Sequence, residues 1–277
     1  MRRSARLGSR SPRTVLLLAL ALVLVGTLAV LVVDGRGSVT RQGWNLVWDE
    51  EFDASVLDAG HWNAQDLASP RNSELQYYTP ANVHLVDSYL ELTTRREPLQ
   101  GRDFTSAAVD THGKFSFTYG RVEIRARLPA MGQGVWPALW MLGNGCDPVG
   151  GACPWPTAGA NEIDIMEAVN TPSSLYNDLH FGTTEGQSQS PGRCEHHGVD
   201  LSAHFHTFAV EWEPGGVVRW YLDDDLICER SAPGFFDQPM YLFLNTAVGG
   251  VLPGPPAADT VFPQHFLIDS VRVYQRP

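Results

Sequence analysis

Val122-Glu-Ile-Arg-Ala-Arg-Leu128 places an apolar residue at every second position, with Glu123, Arg125 and Arg127 between them. Successive side chains of a strand point to opposite faces, so a period of two predicts a β-strand with one buried face. Outward from it, Tyr89-Leu-Glu-Leu-Thr-Thr94, Val217-Val-Arg-Trp-Tyr-Leu222, Tyr241-Leu-Phe-Leu244 and Phe266–Tyr274 are runs of the same kind. They are rich in β-branched and aromatic residues and are set apart by Gly, Pro, Asn and Asp. No long amphipathic helical pattern competes with them. Many short strands in one continuous stretch predict an all-β sandwich or barrel. From Trp44 to the C-terminus no linker, charge block or internal repeat intervenes, so residues 43–277 are expected to form one domain.

The N-terminal residues are set aside from that domain. A basic leader over residues 1–13, with Arg2, Arg3, Arg6, Arg10 and Arg13, precedes an uncharged apolar run through Val33, broken only by Gly26 and Thr27. About nineteen helical residues at about 1.5 Å each nearly match a bilayer core of about 30 Å. Residues 14–33 therefore read as a signal anchor or a signal peptide. The length of the run, the lack of a small-x-small site after it, and Asp34 and Arg36 directly beyond it favour the anchor. Ala19 and Ala21 form an A-x-A pattern only in mid-run, and cleavage remains the alternative. Either way the leader stays cytoplasmic and the remainder is sent outside, to the cell surface or the medium. Residues 34–42 form a short polar linker.

Charge and cysteines agree with export. Seven of the 20 basic residues and one of the 31 acidic residues lie at or before Arg41, which leaves 13 against 30, a net −17. Such a domain repels phosphate backbones, so nucleic acid is excluded as a partner, whereas a neutral polysaccharide meets no such objection. Cys146, Cys153, Cys194 and Cys228 all lie in the exported part, where disulfides are the default. Cys146 and Cys153 are close enough to staple one loop, with Cys194–Cys228 as the other bridge. Zinc held by Cys194, His196 and His197 is the competing assignment, but adjacent histidines have the wrong spacing for it.

The chemistry points to Asn161-Glu-Ile-Asp-Ile-Met-Glu-Ala-Val169. On a helix Glu162 and Asp164 would project about 200° apart. On a regular strand Glu162 and Asp164 share a face, but Glu167 falls on the other. One extra residue at Ile165–Met166, a β-bulge, returns Glu167 to the acid face, with Ile163 and one of Ile165 and Met166 in the core. Carboxylates held close together repel and titrate as a coupled set, so one keeps a proton. Glycoside hydrolysis with retention needs one ionised and one protonated carboxyl about 5–5.5 Å apart. A cation site or a solvated edge strand explains the segment alone equally well. Trp136 and Trp140, in Gly134-Val-Trp-Pro-Ala-Leu-Trp-Met141, would share one strand face and offer rings for sugar C–H surfaces. His180, in Leu179-His-Phe-Gly182, could reach the same face from the next strand. Two core tryptophans and a structural histidine are the plainer alternatives.

Glu162-Ile-Asp-Ile-Met-Glu167 resembles the signature of glycoside hydrolase family 16, in the bulged form of its laminarinase-like (endo-β-1,3-glucanase) members. The resemblance extends over nearly all of residues 44–277. It includes Leu46-Val-Trp-Asp-Glu-Glu-Phe52, Asn72-Ser-Glu-Leu-Gln-Tyr-Tyr78, Tyr119-Gly-Arg-Val-Glu-Ile-Arg125, Trp136-Pro-Ala-Leu-Trp-Met141, Leu244-Asn-Thr-Ala-Val-Gly-Gly250 and Asp269-Ser-Val-Arg-Val-Tyr274.

The resemblance implies a jelly-roll β-sandwich of two curved antiparallel sheets with a concave glycan cleft. It further implies Glu162 as nucleophile, Glu167 as acid/base and Asp164 as the helper that orders the pair. Asn72, Trp136, Trp140 and His180 match cleft-lining positions. Asp269 matches a position near a structural calcium on the convex side; no cofactor is otherwise required, and a monomer is expected. Two departures stand out. Leu252 occupies a position where a tryptophan commonly walls the cleft, and Asn161 stands where Gly commonly precedes the first Glu. A cell-wall glucan transglycosylase and a non-catalytic glucan-binding module are the rival functions; retention of both Glu residues argues against the second.

Overall fold

A computed structural model describes residues 41–69, 71–146, 161–182, 188–232 and 236–277. The leader, the apolar run and all but the last two residues of the linker fall outside the described residues. Among these no helix is long and apolar enough to cross a membrane. Residues 41–277 form one unit made almost wholly of strands, with a single short 3-10 turn at Pro80–Asn82 among the described residues.

Two eight-stranded antiparallel sheets carry the structure. The first runs in the order Asp225–Ser231, Val217–Leu222, His206–Trp212, Gly120–Arg127, Gln264–Gln275, Tyr89–Thr94, Val83–Val86, and Asn45–Glu50 also pairs with Gln264–Gln275. The second, the acid sheet, runs Ser188–Gln189, Ser174–Gly182, Glu162–Glu167, Val135–Gly143, Met240–Val248, Ala108–Asp110, Asn63–Ala64, with Cys194–His197 also on Ser174–Gly182. A three-stranded sheet of Leu67–Ala68, Gln76–Tyr78 and Phe104–Ser106 completes it. All five stretches expected as strands fall on these elements, the first ending at Arg127, one residue short of Leu128.

The core lies between the two large sheets. Val122, Ile124 and Ala126 from the first meet Leu139, Met141, Ile163 and Leu244 from the acid sheet, all fully buried. A second apolar cluster, with Ala138, Trp140, Leu142, Tyr241 and Phe243, sits on the opposite face of the acid sheet. The strand Gly120–Arg127 departs from the expectation of one buried face. Arg121 and Glu123, on its polar side, are 2% and 6% exposed. The register sets Glu211 opposite Arg121, whose guanidinium donates to Glu123 (2.6 Å), Glu211 (2.9 Å) and Asp224 (3.1 Å) and lies over the Tyr221 ring. Arg41 bonds Asp224 at 2.6 Å and pairs with Glu123 as well. Buried charges persist when paired and hydrogen-bonded in this way.

Cys194, on the edge of the acid sheet, is bonded to Cys228 on the edge of the first, with Cα atoms 6.2 Å apart. The bridge ties the two sheets together and rules out Cys194 as a thiolate for zinc. Cys146 is also disulfide-bonded; Cys153 lies outside the described residues.

Candidate active site

The strand Glu162–Glu167 sits inside the acid sheet between Val135–Gly143 and Ser174–Gly182. Against the first neighbour Glu162 faces Leu142, Asp164 faces Trp140, Met166 faces Leu139 and Glu167 faces Ala138, which leaves Ile165 as the extra residue. The expected bulge is therefore present, and all three acids share the face turned away from the core. One detail differs from expectation: Ile165 and Met166 are both in the core, at 1% and 0% exposure, because the bulge turns both side chains inward. The bulged backbone is held from within. Asn177 Nδ2 donates to the Ile165 carbonyl at 2.7 Å, and Trp220 Nε1, from the first sheet, donates to the Asp164 carbonyl at 2.9 Å.

The same face gathers the other expected residues. His180 is opposite Glu162, and its Nε2 lies 3.2 Å from Asp164 Oδ2. Trp136 Nε1 donates to Glu167 Oε1 at 2.8 Å. Trp140 packs on Phe243, ring centres 4.7 Å apart, and donates to Asn245 Oδ1 at 2.8 Å. The Arg71 guanidinium lies over both rings, at 5.6 Å and 5.0 Å. Trp136 and Trp140 are thus on one face, though only 9% and 8% exposed. Asn72 is exposed on a loop at φ 52°, and its carbonyl accepts the Val251 N–H at 2.8 Å. A Cβ on Gly250 would come within 2.9 Å of that carbonyl, so glycine there lets the two loops meet.

Burial comes first among the causes that raise the Glu162, Asp164 and Glu167 carboxyls. Asp164 repels Glu162, and Glu167 and Asp178 repel Asp164, which moves both well up. Glu167 is raised less, because the Trp136 indole N–H and His180 favour its anion. Asp164, at 3% exposure, is the most enclosed of the three, whereas Glu162 and Glu167 are half-buried. The cluster therefore retains protons to higher pH than free carboxylates. Glu162, Asp164 and His180 bring their donor atoms within 4.8 Å of one another, with His180 Nε2 facing Asp164 Oδ2.

The sequence profile of "Glycosyl hydrolases family 16" matches residues 69–258, which include all three acids. The chain belongs to this family. A "Beta-glucanase" of Rhodothermus marinus is 39% identical over 260 residues, covering 84% of this chain and 85% of that protein. A "Glucan endo-1,3-beta-glucosidase A1" of Niallia circulans is 35% identical over 269 residues, 84% of this chain but 38% of its own length. Among solved structures, the laminarinase catalytic domain of Thermotoga maritima superposes with a TM-score of 0.75 at 38% identity, covering 85% of this chain and all of that one. The two large sheets are accordingly the jelly-roll sandwich of family 16 glycoside hydrolases.

Other neighbours of the family 16 acids were not foreseen. Asp178 sits opposite Asp164, two positions before His180 and so on the same face; that alternation was the available signal. Asn177, Asn245 and Arg71 carried no comparable signal, since their partners are set by register and loop path. Buried Glu74 anchors the Arg71–Asn72 loop by accepting from Ser69 (2.6 Å) and Gln76 (2.7 Å). Leu252 is 38% exposed on the turn after Gly250. Asp269, the implied calcium ligand, lies in the first sheet with Arg125 Nη1 at 2.7 Å. That half-exposed guanidinium holds one carboxylate oxygen and would have to turn aside for Asp269 to ligate calcium.

Proposed function

We propose that this chain is a retaining, endo-acting β-1,3-glucan hydrolase working by double displacement. The observation that carries the reading is the bulged strand, which turns Glu162 and Glu167 to one face with Asp164 between them. In the first step Glu162, ionised, attacks the anomeric carbon from one side. Glu167, protonated, gives its proton to the departing glycosidic oxygen, and a glycosyl ester on Glu162 results. In the second step Glu167 takes a proton from water, which displaces Glu162 with a second inversion. Asp164, the most enclosed carboxyl, lies between the two and hydrogen-bonds Glu162, which orders the nucleophile against the acid/base. Trp136 and His180 hold the site's geometry, and Trp140 with Arg71 forms part of its floor.

The domain acts outside the cytoplasm: the basic leader and apolar run direct export, and the Cys194–Cys228 bridge suits an oxidising compartment. Retention of the apolar run as a membrane anchor is the finer form of this proposal, and a neutral glucan is the partner. Transfer to a sugar acceptor instead of water uses the same ester, and an acceptor-supplemented product profile separates the two. Glu162→Gln and Glu167→Gln are each expected to lose nearly all release of reducing ends from laminarin while keeping the parent's melting temperature. Near-parental hydrolysis by either purified variant would remove these roles.

A further inference from the structure

We propose that Asp178 is a positioning residue for the reaction, holding His180 against Asp164 and fixing the alkaline limit of activity through the charge it adds beside the acids. The proposal rests on the reading of Glu167 as acid/base. Asp178 is 8% exposed and lies opposite Asp164 in the sheet register. Its Oδ1 accepts from the Leu179 N–H at 2.8 Å and from the Ser190 hydroxyl, which fixes the carboxylate's orientation. Its Oδ2 faces His180 Nε2 at 3.5 Å, while Asp164 Oδ2 faces the same nitrogen at 3.2 Å. One imidazole nitrogen is therefore shared by two carboxylates on adjacent strands, and the ring cannot turn from Asp164 without leaving Asp178 too.

The hydrogen bonds to Leu179 and Ser190 alone would need only a neutral acceptor. A fourth carboxylate on a face already holding three adds repulsion that a purely structural cap would avoid. The groups facing Asp178 among the described residues are Glu162, Asp164 and Glu167 on the neighbouring strand and His180 on its own. On the other side stands Arg193, bonded to Glu195 at 2.7 Å and lying over the Tyr176 ring. Burial is the main reason Glu167 holds its proton, and the Asp178 charge adds to it against the Trp136 and His180 contributions. Without the Asp178 charge, Glu167 loses its proton at lower pH, and the alkaline limb of kcat/KM moves down.

The test is the pH profile of kcat/KM for laminarin, with purified full-length parent, Asp178→Asn and Asp178→Glu. Asparagine keeps an oxygen for Leu179 and Ser190 but removes the charge. Its alkaline limb is expected about one pH unit lower, with KM changed less than about twofold. Asp178→Glu, which keeps the charge, is expected to retain the parental limb, and melting temperatures of all three show whether each is folded. An Asp178→Asn limb that coincides with the parent's overturns the proposal while leaving the hydrolase reading intact. If Asp178→Asn does not fold, Asp178→Glu decides: a limb displaced downward despite its charge overturns the proposal. A parent that releases no reducing ends from laminarin sinks the underlying reading instead.

Discussion

Trp136→Phe isolates one hydrogen bond in the catalytic cluster. The substitution keeps an aromatic ring beside the cleft but removes the indole N–H that donates to Glu167 Oε1 at 2.8 Å. A hydrogen bond to a charged acceptor contributes about 1.5–3 kcal/mol, equivalent to about 1–2 pKa units. Glu167 is half-buried, so solvent replaces part of the lost donor and the lower end applies, about one unit. The indole favours the ionised form of Glu167. Its removal therefore lets Glu167 hold its proton to higher pH, and the alkaline limb of kcat/KM moves up by about one unit, opposite to the change expected for Asp178→Asn. KM should rise no more than about threefold, since the ring surface is largely kept. Initial rates of reducing-end release from laminarin, well below KM and across both limbs, provide the measurement. A limb that stays in place, or moves down, would refute control of Glu167 by this indole.

Two further perturbations probe the bulge and the cleft wall. Asn177→Ala leaves the buried Ile165 carbonyl without its donor, so it should lower stability by about 1–3 kcal/mol and reduce kcat as the Glu167 position loosens; thermal unfolding and steady-state kinetics read both, and a parental melting temperature would show that the carbonyl finds another partner. Leu252→Trp adds an aromatic surface at an exposed turn and should lower KM for laminarin about threefold to tenfold with little change in kcat; an unchanged or raised KM would place Leu252 outside the glucan path.

Much of the fold follows from periods visible in single segments. Val122, Ile124 and Ala126 alternate into the core because a strand offers only two faces. The spacing of Glu162, Asp164 and Glu167 is compatible with one face only if a residue is inserted, and Ile165 is that residue. What local pattern does not contain is the identity of partners distant in sequence. Glu123 reads as part of a polar face, yet Arg121 beside it, Glu211 on the paired strand His206–Trp212 and Asp224 on a turn enclose it in a charge network. Asp178 sits at the right parity for the acid face, but its pairing with Asp164 depends on the register of a hairpin. Arg71 reaches Trp140 and Phe243 through a loop whose path depends on buried Glu74 and on the close approach at Gly250. The roles of Trp136 and His180 in the cluster were visible as candidates; that Trp136 donates to Glu167 and His180 meets Asp164 emerged only with the sheet assembled.

Double displacement across Glu162 and Glu167 is tested most directly by the configuration of the first product. Two inversions at the anomeric carbon restore the starting β-configuration, whereas direct attack by water inverts it. Proton NMR of laminarin hydrolysis, recorded before mutarotation equilibrates the new reducing ends, resolves the two anomers. The β-anomer should appear first and the α-anomer should grow in only at the rate of mutarotation. Initial accumulation of the α-anomer would contradict a glycosyl ester on Glu162.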